Sequence, residues 1–235
     1  MERLQKILAR AGFGSRRSCE VLIQNGRVKI NNQIATLGSK AVPNVDQITV
    51  DGQHILLPSI FSYIALYKPR GILSTVSSPD RRYKTVIDLV ALPIRLFPVG
   101  RLDVDSEGLI LLTDDGALAN NLTHPRYGHE KEYLVLINRE PDAEQLAIWR
   151  RGVTLHDGSK TKPAQVSIDR STTKNTWLKI ILKEGQKRQI RETGKVLGLQ
   201  VVQIIRTRIH TLHLGNLKSG EWRYLSHEEI TQLKG

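Results

Sequence analysis

The sequence predicts an α+β protein of two blocks, and three observations predict it. Residues 1–57 show helical periodicity and then short strand-and-turn signals. Residues 58–62 (Pro-Ser-Ile-Phe-Ser) read as a short linker. From residue 63 onward, short apolar strand-like runs are interleaved with helical patterns. A chain of 235 residues is long enough for one small and one medium domain.

In the first block, Arg3, Lys6 and Arg10 fall at i, i+3 and i+7 on one helix face, beside an apolar stripe of Leu4, Ile7, Leu8 and Ala11. Gly12 and Gly14 break that helix, and Ser15 is a natural N-cap for the next. The second helix begins with Arg16 and Arg17, a placement that opposes the helix dipole. It ends at Asn25-Gly26. Strands at 28–30 and 33–35 flank a turn at Asn31-Asn32. Asp51-Gly52 between 48–50 and 54–56 is a hairpin signal.

In the second block the pattern predicts strands at 63–67, 109–112, 133–137, 177–182, 201–205, 211–214 and 222–225. Helices are predicted at 85–92, 116–122, 142–151, 186–197 and 227–234, with a polar loop at 79–83. No internal repeat or low-complexity segment is visible.

The net charge is +12 and the isoelectric point about 10.0, so an anionic partner is expected, nucleic acid before an anionic membrane. Over residues 1–40, eight bases face two acids, which concentrates half of the excess in the first block. No apolar run approaches the ~20 residues that span a bilayer, and the charged N-terminus is not a secretion signal. Cys19 is the single cysteine, which excludes an internal disulfide and a cysteine-based zinc site. A cytoplasmic location is expected.

Three stretches carry candidate chemistry. The first is Gly100-Arg101-Leu102-Asp103-Val104-Asp105-Ser106-Glu107-Gly108, leading into an apolar strand and Asp114-Asp115-Gly116. Asp103 is a carboxylate beside Arg101, and a neighbouring guanidinium favours the charged, nucleophilic form. A loop cap and a metal ligand are the competing readings. The acids crowd enough oxygens for Mg²⁺ or Ca²⁺, but their spacing fails the EF-hand pattern. His210 and His213 differ by three, which sets them on opposite sides of one strand and reads as structural.

The second stretch is Lys131-Glu132-Tyr133, where Tyr133 opens an apolar strand. It is either a core tyrosine or a ring that stacks on an extruded base. The third is Lys183-Glu184-Gly185-Gln186-Lys187-Arg188-Gln189-Ile190-Arg191, four bases against one acid, with a helix start near Gln186 whose N–H groups suit a phosphate.

Arg-Leu-Gln-Lys-Ile-Leu-Ala-Arg-Ala-Gly-Phe-Gly-Ser-Arg-Arg, with Gly26-Arg27-Val28 behind it, closely resembles the S4 (αL-type) RNA-binding domain. The resemblance implies RNA contacts at Arg3, Lys6, Arg10, Ser15, Arg16, Arg17 and Arg27. The boxes Gly-Arg-Leu-Asp, Lys-Glu-Tyr and Arg-Gln-Ile-Arg, in that order, resemble the RsuA/RluB/RluE/RluF family of rRNA pseudouridine synthases over nearly the whole chain. That resemblance implies a catalytic domain at 63–235 with a curved, mostly antiparallel sheet flanked by helices. It implies Asp103 as the catalytic aspartate and Tyr133 as the ring that stacks on the target uracil and serves in proton transfer. Arg191 would pair with the Asp103 carboxylate, Arg101 would support the loop or hold backbone phosphate, and Lys187 and Arg188 would contact RNA. No metal or cofactor is implied, and a monomer acting on rRNA is expected. Module order and size are closest to the large-subunit (23S) RluB type, with the 16S RsuA type as the alternative.

One departure from the family pattern stands out. Glu192-Thr193-Gly194 follows Arg191 where a further base and bulky apolar residues are usual. A glycine inside a helix costs about 1 kcal/mol against alanine, so a loosened helix is expected there. Two other classes stay open on the residues alone: a non-catalytic S4-type ribosome-assembly factor, and a metal-dependent nuclease using the acidic cluster.

Overall fold

The computed structural model describes residues 1–58, 60–78, 80 and 82–235. The expected linker includes Ser59, and the expected polar loop includes Pro79 and Arg81, which lie outside the described residues. The chain divides into two compact units, Met1–Phe61 and Ser62–Gly235.

In the N-terminal unit, β1 (Glu2–Arg3) leads into α1 (Leu4–Arg10) and α2 (Arg16–Gln24), followed by β2 (Val28–Ile30), β3 (Gln33–Ile34), β4 (Lys40–Ala41), β5 (Ile48–Val50) and β6 (Gln53–His54). The Ser15 hydroxyl accepts from the Ser18 N–H and caps α2, as its position between Gly14 and Arg16 predicts. Leu4, Ile7 and Leu8 of the α1 stripe are fully buried and share a core with Cys19, Ile23 and Val28. Asn31 and Asn32 both adopt positive φ, which suits the two-residue turn between β2 and β3. The sheet order is β3-β2-β5-β6, and β1 pairs separately with β4.

The second unit comprises β7 (Tyr63–Lys68), α3 (Val86–Val90), β8 (Phe97–Val99), β9 (Glu107–Thr113), α4 (Gly116–Thr123), β10 (Lys131–Ile137), α5 (Ala143–Arg151), β11 (Gln165–Ser171), β12 (Thr176–Leu182), α6 (Gln189–Val196), β13 (Val201–Ile209), β14 (Leu212–His213), β15 (Trp222–Tyr224) and α7 (His227–Lys234). A nine-stranded sheet runs β11-β12-β10-β13-β9-β7-β15, with β8 on β9 and β14 on β13. It is mostly antiparallel; the parallel pair among the described strands is β13 with β9. Strands β8 and β11 were not expected. Phe97-Pro98-Val99 is too short to show a period, and β11 buries only Val166, so it carries no alternating apolar signal.

Three further expectations are corrected. The helix of the third charged stretch, α6, begins at Gln189, not Gln186, because Arg188 is left-handed (φ 54°) and interrupts it. His210 and His213 do not share one strand: His210 sits in the turn between β13 and β14 at φ 52°. Gly194 does not loosen α6, which runs unbroken through it. A Cβ at Gly194 would lie 2.7 Å from Val201 Cγ2 and 2.9 Å from the Leu199 carbonyl oxygen, so the glycine lets the helix approach the chain entering β13.

Candidate active site

The register of the large sheet sets one row of residues abreast across four strands. Tyr133 of β10 is opposite Arg206 of β13, Arg206 is opposite Gly108 of β9, and Gly108 is opposite Lys68 of β7. The acidic loop runs straight into that row. Gly108 has φ 102°, and a Cβ there would lie 2.4 Å from the Arg206 carbonyl oxygen, so only glycine permits this approach.

Backbone contacts hold the loop on both sides. Ser74 Oγ donates to the Leu102 carbonyl (2.9 Å) and accepts from the Leu102 N–H (3.1 Å). The Gly71 N–H donates to the Val104 carbonyl at 2.7 Å, and the Ser106 N–H to the Asp103 carbonyl at 3.1 Å. The buried Leu102 side chain belongs to the same core cluster as Tyr133 and Ile190, so residues from all three charged boxes meet in one core. Asp103 is left with about a third of its side chain exposed.

Four cations surround the loop. Arg188 donates to both Asp105 oxygens at 3.3 Å, and its Nη1 lies 3.8 Å from Asp103 Oδ2. Arg191 donates from Nη2 to the Asp105 carbonyl (3.1 Å) and from Nη1 to the Val201 carbonyl (3.1 Å). Its Nε lies 3.2 Å from Asp105 Oδ2, a charge contact outside hydrogen-bond geometry. The expected Arg191–Asp103 pair is therefore replaced by Arg191–Asp105, and Arg188 is the cation that reaches Asp103. The turn closed by Ser106 on Asp103 presents Asp105, rather than Asp103, to α6. Burial would raise the Asp105 carboxyl, but the Arg188 hydrogen bonds and the charges of Arg191 and Arg188 outweigh it and hold it below the usual carboxylate range.

Arg206 is 2% exposed, donates to the carbonyls of Leu109 (2.7 Å) and Arg101 (3.4 Å), and has no carboxylate within ion-pair distance among the described residues. Lys68 is fully buried, with its ammonium on the Pro69 carbonyl at 2.8 Å. Burial pushes Lys68 down to about 8, against the pull of Glu107, Asp105 and Asp103. Sequence reasoning missed both. The available signal was a lysine closing an apolar strand and an arginine breaking the apolar alternation of 201–209.

Tyr133 is 8% exposed and lies beside a bulge in β13, where Glu132 faces Arg208 and Tyr133 faces Arg206. The Arg101 and Lys187 side chains are exposed. Asp114 and Asp115 are structural: Asp114 accepts from the Ser62 N–H, and Asp115 caps α4 and accepts from Tyr63. No group of three or more His, Cys, Asp and Glu side chains arranged to hold a metal occurs among the described residues.

In the N-terminal unit, Arg3, Lys6, Arg16 and Arg17 are exposed. Arg10 pairs with Glu2 at 3.5 Å, and Arg27 is held by Asp51 through two hydrogen bonds. Arg3 and Arg17 share the lining of an open depression of about 350 Å³ with Gln5 and Gln24. That depression belongs to the N-terminal unit.

A small basic module joined to a sheet domain that holds a carboxylate loop among arginines defines an RNA-directed enzyme. Comparison with known proteins makes this specific. A family model described as RNA pseudouridylate synthase matches residues 62–194, and an S4 domain model matches residues 2–48. The chain is 42% identical over 234 residues to an uncharacterized RNA pseudouridine synthase of Aquifex aeolicus (strain VF5), covering 98% of this chain and 93% of that one. It is 38% identical over 238 residues to the ribosomal large subunit pseudouridine synthase B of Bacillus subtilis (strain 168), covering 100% and 96%. A solved pseudouridylate synthase superposes with a TM-score of 0.72 at 30% identity, covering 99% of this chain and all of that one. The chain belongs to the RNA pseudouridylate synthase family and carries an S4 domain ahead of the catalytic domain.

Proposed function

We propose that this enzyme isomerises a specific uridine of large-subunit rRNA to pseudouridine, with Asp103 as the catalytic carboxylate. The observation that carries the assignment to Asp103 is its isolation from its neighbours. Asp105 is held by two arginines, while among the described residues Asp103 has a single ion-pair contact, 3.8 Å to Arg188, in a loop whose backbone is fixed by Ser74 and Gly71. The reaction breaks the C1′–N1 bond and joins C1′ to C5 of the rotated base. Tyr133, in the row leading from Gly108, is the ring on which the extruded uracil rests. Arg101 supports the loop through its carbonyl, which accepts from Arg206.

The large-subunit substrate rests on the full-length similarity to the Bacillus subtilis enzyme. The S4 unit contributes phosphate contacts through Arg3, Lys6, Arg10, Ser15, Arg16, Arg17 and Arg27, and the catalytic domain through Lys187 and Arg188. The protein acts as a cytoplasmic monomer that needs no cofactor. Of the cations named, Arg27 must exchange Asp51 for phosphate, whereas Arg3, Lys6, Arg16 and Arg17 are already exposed.

The test is to incubate the protein with large- and small-subunit rRNA transcripts in EDTA and map pseudouridine by carbodiimide modification and primer extension. One new stop in the large-subunit transcript is expected. A stop only in the small-subunit transcript overturns the substrate, and RNA bound with no stop in either overturns the catalytic reading.

A further inference from the structure

Between α4 and the turn after β13, four planar groups follow one another. The Arg126 guanidinium lies over the Tyr127 ring at 4.4 Å, Tyr127 is stacked with His129 at 6.0 Å and 27°, and His129 meets His210 at 4.4 Å. The outer end faces solvent: Tyr127 is 42% exposed, and Arg126, which covers its ring and donates to its hydroxyl, is itself exposed. The inner end is braced. His129 Nε2 lies 3.2 Å from Asn121 Oδ1, and Arg208 Nη1 donates to the His210 carbonyl at 2.7 Å.

Two connections link the elements that carry the row to the segment that leads into the Asp103 loop. The row follows directly from α4, whose Thr123 methyl would be 3.7 Å from a Cβ at Gly100. It ends at the turn after β13, the strand whose Arg206 donates to the Arg101 carbonyl. His210 also holds a left-handed conformation at φ 52° that glycine would adopt without strain. That turn puts the His210 imidazole on His129, a contact that nothing in the proposed isomerisation uses. Burial first, then His210 and Lys131 for His129 and Arg208 for His210 (against the opposite pull of Glu130), holds both imidazoles below their usual value, so near neutrality the pair, tilted at 52°, is uncharged.

We infer that this row is a stacking platform for an unpaired RNA nucleobase flanking the target uridine, with Tyr127 as the ring it meets and Arg126 swinging off that ring to the adjoining phosphate. This rests on the reading of the protein as an RNA uridine isomerase and adds a second base-holding site to it. When the uracil leaves the stack, its neighbour loses a partner, and an aromatic face with a cation at its edge replaces what was lost. Apolar stacking and phosphate charge are separable here because they belong to different side chains.

The experiment uses the full-length chain carrying Asp103→Asn, so that RNA stays unconverted, and the segment of a large-subunit rRNA transcript that it protects from nuclease. Dissociation constants are measured with single abasic substitutions scanned through that segment. One abasic position, other than the target, should weaken binding about tenfold, as loss of one stacked base does. Adding Tyr127→Ala should weaken binding to the intact segment by the same factor and add nothing at that abasic position. Tyr127→Phe should bind like the parent. Arg126→Ala should reduce the slope of log K against log salt by about one phosphate contact, while Tyr127→Ala leaves it unchanged. Unaltered binding by Tyr127→Ala, or a loss that no abasic position cancels, overturns the platform. A wild-type chain that binds and converts no uridine overturns the isomerase reading instead, and the abasic pattern still decides the platform.

Discussion

Arg191 grips Asp105, not Asp103. Its Nε is 3.2 Å from the Asp105 carboxylate and its Nη2 donates to the Asp105 carbonyl, so α6 is tied to the loop through the residue two beyond the catalytic candidate. The two acids therefore divide the work: Asp105 anchors the loop and Asp103 is presented by it.

Asp105→Asn should destabilise the fold by ~1–2 kcal/mol, the range for losing charge-assisted hydrogen bonds at a partly exposed site, whereas Asp103→Asn should change stability little. Urea midpoints of the two variants test this. Because the folded Asp105 carboxyl lies below its unfolded value, its contribution is complete above about pH 4 and fades as pH falls through the depressed folded value. Equal midpoints for the two variants would remove the anchor.

Gly194→Ala should destabilise the domain even though alanine is the better helix former by about 1 kcal/mol. The added methyl meets Val201 Cγ2 at 2.7 Å and backbone at 2.9 Å, and overpacking of that kind costs ~1–3 kcal/mol. A thermal melt that rises on this substitution would show that the close approach is not required.

Lys68 gives a pH signature. Its folded value of about 8 lies below the 10.5 of the exposed side chain, so between these values the unfolded chain holds a proton that the folded chain has released. Stability from this group therefore rises with pH across that window and is at its lowest below pH 8. Measured against Lys68→Met, the wild type should gain about 3 kcal/mol between pH 7 and pH 10.5. A pH-independent difference would place the ammonium in contact with water.

How much of this was legible in the sequence follows from where each signal resides. The α1 stripe, the Ser15 cap and the Asp51-Gly52 hairpin are local, and periodicity and turn chemistry disclose them. The three charged boxes were legible by resemblance. Which acid pairs with which arginine was not, because the Asp103–Ser106 turn decides it by facing Asp105 toward α6. Gly194 was misread for a related reason: propensity describes the helix alone, while the residue answers to Val201 on the next element. Arg206 and Lys68 emerge only from the register that sets them abreast of Gly108.

The central claim is that Asp103 carries the isomerisation. Forming the C1′–C5 bond displaces the hydrogen on C5, so a large-subunit rRNA transcript made with uridine tritiated at C5 releases tritium to water as pseudouridine forms. In a single-turnover assay with enzyme in excess, the wild-type chain should release one tritium per modified site, and Asp103→Asn, folded to the same urea midpoint and bound to the same RNA, should release none. Release by Asp103→Asn at the wild-type rate would contradict the assignment.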